Sequence, residues 1–169
     1  NFKIPISIFT GLVYVRLFVI YHDYLHETIL QRSVSANILF TIFGYLLLTP
    51  KTIWKRSHNY HHTHNSKIRK SGIGSYPVYT KARFESLSKK EKRRYLFIRH
   101  PLTILFGYYF TFLKGMCIDS LRNGFKRHID SFYALLVHFG IHTAIFIFFG
   151  WQATLFCSVI PHLIAGSLG

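Results

Sequence analysis

An all-α helical bundle embedded in a membrane, with interfacial helices and a histidine-rich metal site on its cytoplasmic side, is the architecture this sequence predicts. Three observations predict it. Half of the 169 residues are hydrophobic and 18% are aromatic, yet the chain carries a formal charge of +15. The apolar residues come in long blocks with the basic residues gathered between them, the pattern of bilayer spans and their flanks. Eleven histidines, two groups of them at helical spacing, add a candidate metal site.

Five apolar segments stand out: Ile4–Tyr21, Val34–Thr49, Pro101–Ile118, Phe132–Phe149 and Gln152–Leu168. A spanning helix needs roughly 17–25 predominantly apolar residues. Ile4–Tyr21 is long enough but contains Arg16, which must face the bundle or snorkel to the interface. Val34–Thr49 is short and ends at Pro50, and Pro101–Ile118 carries Lys114 near its end. Phe132–Phe149 and Gln152–Leu168 both meet the length, and their junction at Gly150-Trp151 predicts a helical hairpin.

Charge sets the orientation. Fourteen Lys or Arg lie between Lys51 and His100, opposed only by Glu85 and Glu91. Arg122–Arg127 adds three more, and the Gly150-Trp151 turn has none. The positive-inside rule therefore puts residues 51–100 and 119–130 in the cytoplasm and the turn outside. A nucleic-acid binder would also be basic, but it would not carry a stretch such as Ser131–Gly150, which lacks Lys, Arg, Asp and Glu. Cys117 and Cys157 sit in apolar stretches and read as small hydrophobes. The chain begins at Asn1 without a Met and stops in an apolar run, so residues 1–169 are expected to be one domain truncated at both ends.

The histidines carry the chemistry. His22-Asp23-Tyr24-Leu25-His26 places two imidazoles at i and i+4, on one helix face. His58-Asn59-Tyr60-His61-His62 places three at i, i+3 and i+4. One HxxxH is common among solvated helices. Two groups, separated by thirty-one residues and each at the end of an apolar segment, are much more specific. Neutral imidazole suits iron, zinc and copper. A zincin motif fails, because Leu30 stands where the second histidine after His26-Glu27 belongs. A carboxylate-bridged di-iron bundle fails too, since the chain has only six acidic residues and no ExxH pair. What remains is a metal site built almost wholly from nitrogen.

The run from His22 to His26, and then Thr49-Pro50-Lys51-Thr52-Ile53-Trp54-Lys55-Arg56-Ser57-His58-Asn59-Tyr60-His61-His62, resembles the first two histidine boxes of membrane fatty-acid desaturases. The Thr-Pro…Trp-Lys-x-Ser-His approach is similar to the Δ12/ω-6-like branch. Gly74-Ser75-Tyr76-Pro77 and the stretch from Tyr95 to Pro101 resemble the family's sequence beyond its second box. The resemblance implies two iron ions that activate dioxygen, an acyl chain or membrane lipid as substrate, and an external electron donor of the ferredoxin or cytochrome b5 kind. It implies His22, His26, His58, His61 and His62 as iron ligands, with Asp23 and Ser57 as candidates to orient their rings. The family's third box, an HxxHH after a transmembrane hairpin, is absent from these residues and is expected downstream of Gly169.

If both boxes serve one metal pair, they lie on the same side of the membrane. Val34–Thr49 is then interfacial or re-entrant, Pro101–Ile118 is interfacial, and Ile4–Tyr21 and the two hairpin arms are the spans. His138 and His142 lie inside a span, where pairing with a polar neighbour such as Thr143 or Thr154 is expected in place of metal. His64 is read as a neighbour of the second box, His100 and His128 as loop residues, and His162 as a residue without an assigned part. Two rival functions remain open. Another histidine-box oxygenase, a lipid hydroxylase or carotenoid ketolase, would insert oxygen instead of forming a double bond. A histidine-rich metal transporter would use His138 and His142 at mid-membrane.

Overall fold

The computed structural model describes residues 2–64 and 78–168; the Gly74–Pro77 stretch lies outside them. Every regular element among the described residues is helical. The elements are α1 (Lys3–Leu25), α2 (Val34–Leu46), α3 (Lys51–His64), α4 (Lys81–Glu85), α5 (Lys89–Ile98), α6 (Pro101–Leu105), a π-wound segment (Tyr108–Asp119), α7 (Ser120–Asn123), a 3-10 turn (Phe125–His128), α8 (Ile129–Thr154), a second π turn (Leu155–Val159) and α9 (Ile160–Leu168). α1 and the stretch Phe125–Leu168 are long and apolar enough to cross a membrane. Their outward residues, such as Ile4, Phe9, Phe139 and Phe148, are exposed, which a bilayer rewards and water does not.

The hairpin is real, and Gly150 makes it. A straight helix would separate His142 from His162 by about 30 Å, yet their rings lie 5.0 Å apart. Gly150 takes φ 80° and ψ 176°, a conformation open to glycine and strained for other residues. The second arm then runs back parallel to α1. Ser7 donates to the carbonyl of Phe156, Tyr14 packs edge-on to His162 at 5.3 Å, and Ala165 joins the cluster of Tyr21 and Leu25.

The α2–α3 pair is bent by 83°. Ser33 caps the start of α2, its Oγ accepting from the Ala36 N–H at 3.1 Å. The helix ends where Leu48 adopts φ 57° while fully buried, and Thr49 N–H closes back on Gly44 O at 2.8 Å. Pro50 then starts a new direction, having no N–H with which to continue the ladder. Lys51 reaches Asn37 Oδ1 at 2.7 Å. Asn37 near the start of α2 meets Tyr24, and Lys55 of α3 meets Glu27, so both helices touch the His22 end of α1. Asp130, at the start of α8, receives both the N–H and the hydroxyl of Thr52, at 3.0 and 2.7 Å. An anion at the start of α3 suits the helix dipole, and the contact ties the hairpin's entry to the same end of the bundle.

Candidate metal centre

α1 ends in His22 and the cap residue His26, and α3 carries His58 and His62 one turn apart. Packing of Trp54 against Phe18 and Tyr21 holds α3 across the end of α1. The result is four imidazoles from two helices, offering ring nitrogens that all lie within 4.8 Å of one another. His58 is the centre of the group. Its Nε2 lies 2.9 Å from Nε2 of His22 and 2.9 Å from Nε2 of His62. A proton on His58 Nε2 can satisfy only one of those neighbours, so the crowding of lone pairs fits a cation. His26 Nε2 is a buried ring nitrogen with no hydrogen-bond partner, which fits the same conclusion.

His61 stands outside this set, with its ring 6.1 Å from that of His58 and its Nδ1 buried without a partner. Asp23 Oδ1 accepts from His22 Nδ1 at 3.0 Å, which leaves the lone pair on the Nε2 that faces His58. Ser57 Oγ donates to the Trp54 carbonyl at 3.1 Å, within α3. His64 stacks on Tyr60 at 4.0 Å, away from the group. Motif spacing alone does not single out Trp54. It stacks on the His58 ring at 4.2 Å and 22°, and its i−4 position relative to His58 is the signal that could have found it.

Burial, with the neighbouring imidazoles second, pushes the His58 pKa down to about 4, and the same causes lower His26. Neutral imidazole is the form that binds metal. The folded pKa lies below the unfolded value, so the unfolded chain binds more protons between them. Stability of the metal-free protein should be full above about pH 6.5 and fall as pH drops through 4. Thermal melts in detergent across this window should show a shallower fall in His58→Gln; an equal fall in both proteins would contradict the assignment.

Deeper in the bundle, His138 and His142 do pair with polar groups, although not with Thr143 or Thr154. His138 Nδ1 donates to Leu46 O at 2.7 Å, and Ser158 Oγ lies 2.8 Å from His142 Nε2. The hairpin also brings His162 beside them.

The family model for "Fatty acid desaturase" matches residues 3–169. A curated "Fatty acid desaturase" of Bacillus subtilis (strain 168) is 28% identical over 155 residues, covering 91% of this chain and 44% of that protein. The "sn-1 oleoyl-lipid 12-desaturase" of Anabaena variabilis is 37% identical over 68 residues, or 40% of this chain and 19% of that protein. No solved structure matches significantly. The chain thus spans less than half the length of these curated relatives. With two histidine groups meeting at one end of an all-helical membrane bundle and a family match along nearly its whole length, this chain belongs to the fatty acid desaturase family.

Proposed function

We propose that this chain is the part of a membrane fatty-acyl desaturase that carries the first two histidine boxes, with His22, His26, His58, His61 and His62 holding iron. The convergence of four imidazole nitrogens from two helices within 4.8 Å supports this reading most directly. Two bound irons would supply dioxygen activation and the removal of hydrogen from two neighbouring methylenes. The chain's own residues bind and orient. Asp23 sets the His22 tautomer, Trp54 covers one face of His58 and keeps water from it, and the Glu27–Lys55 pair links the two boxes. The basic segments support a cytoplasmic side for the boxes, and the apolar outer faces of the spans would let a lipid-borne acyl chain approach from the bilayer. The likeness to an oleoyl-lipid 12-desaturase supports that substrate class.

Electrons would come from an external donor of the ferredoxin or cytochrome b5 kind. Lys89, Lys90, Arg93 and Arg94 on α5 are exposed and offer such an acidic partner a docking face. Electron transfer from the purified donor should therefore slow steeply as salt rises. A salt-independent rate would leave α5 with a topological role alone. The reaction itself is tested by mass spectrometry of products from the complete enzyme. Loss of two hydrogens is expected, and a retained oxygen atom would favour a hydroxylase or ketolase.

A further inference from the structure

Away from the two boxes, α8 and α9 bring together His138, His142 and His162, which offer ring nitrogens within 4.8 Å of one another. His138 is 4% exposed and His162 2%. All three rings are anchored alike. Nδ1 of His138 donates to Leu46 O, that of His142 to His138 O and that of His162 to Ser158 O, each at 2.7 Å. A neutral imidazole that donates through Nδ1 carries its lone pair on Nε2. Backbone carbonyls fixing one nitrogen while the other stays basic is how metal-binding histidines are held.

The Leu46 carbonyl anchors the group from outside the hairpin. Four residues on, where its helical partner should be, stands Pro50, which has no N–H. Its oxygen accepts from His138 and also lies 3.2 Å from Nε2 of His162. With the His162 proton on Nδ1, that contact sets a nitrogen lone pair against an oxygen lone pair. Turning that Nε2 to a cation removes the repulsion.

We propose that His138, His142 and His162 form a second, intramembrane site for one transition-metal cation of the imidazole-preferring kind, such as Zn²⁺, with the Leu46 carbonyl holding the His138 ring from behind. It joins the broken end of α2 to both arms of the hairpin. A tetrahedral zinc site holds its nitrogens about 3.3 Å apart, so the rings close on the ion by small side-chain rotations. Ser158 Oγ, now on His142 Nε2, turns aside. The polar pairing through Nδ1 and metal binding through Nε2 coexist, and the inference does not depend on the desaturase reaction.

The test uses the 169-residue chain in detergent micelles with Co²⁺, whose visible absorption reports tetrahedral nitrogen sites. A His22→Gln/His58→Gln variant lacks the two-box centre. It should still hold about one equivalent of Co²⁺ with that spectrum, displaced by Zn²⁺. Conversely, His142→Gln/His162→Gln in the otherwise unchanged chain should hold about one equivalent less than the parent, with helix content preserved by circular dichroism. If the first variant retains its helix and binds no Co²⁺, the site does not exist. If the first variant loses its helix, the second decides: binding equal to the parent's overturns the proposal.

Discussion

His58→Ala should abolish desaturation in the complete enzyme and remove most of its bound iron, with membrane insertion unchanged. No other residue of the first two boxes is placed so centrally, 2.9 Å from ring nitrogens of both His22 and His62. Its loss breaks the link between α1 and α3 as well as removing a donor. Removal even of groups that only support metal ligands commonly costs 10–100-fold in affinity, so a loss of about 100-fold or more is expected. His64→Ala is the internal comparison, because that ring stacks on Tyr60 outside the group. Iron content measured in the membrane fraction separates the outcomes. Normal iron and turnover in His58→Ala, or an equal loss in His64→Ala, would sink the assignment.

Gly44→Val should be the most damaging single packing change. A Cβ at Gly44 would lie 2.5 Å from the Tyr21 hydroxyl oxygen and 3.0 Å from the Thr49 carbonyl oxygen. The second is backbone and cannot swing away. Tyr21 is fully buried, donates to Thr49 O at 2.7 Å, and packs on Phe40, Phe43 and Trp54. Forcing it out breaks a buried hydrogen bond and overpacks the corner that carries Trp54 and hence His58. Overpacking costs about 1–3 kcal/mol and an unsatisfied buried group about as much again. A drop in thermal midpoint on the order of 10 °C should result, together with weaker metal binding. Gly140→Ala is the contrast. A Cβ there meets nothing within 4 Å, and alanine in a helix interior is favoured by about 0.5–1 kcal/mol. Similar melts for the two variants would refute the packing argument.

Much of this protein is set by local rules that a sequence displays. Helical periodicity put His22 with His26, and His58 with His62, on common faces before any packing was known. Segment length separated the spans from the shorter Val34–Thr49, the basic residues on both sides set Pro101–Ile118 apart, and Pro50 marked the bend between α2 and α3. Glycine at position 150 announced the hairpin. The motif order around the boxes carried the family.

Only the tertiary structure decided which groups meet. Spacing says nothing about residues thirty or a hundred positions apart. Their contact depends on how helices cross, and that depends on close approaches such as Gly44 on Tyr21 and on the left-handed turn at Leu48. So the sequence placed His61 among the ligands by its i+3 position, and packing sets its ring beside the four-histidine group. It left His162 without a part, whereas the hairpin's return brings that ring to His138 and His142. The Leu46 carbonyl, stripped of its helical partner by Pro50, became visible as a polar anchor only once the hairpin had folded against it. Helix formation is local and leaves a local trace, whereas the meeting of donor groups inside a bundle is a property of the packed whole.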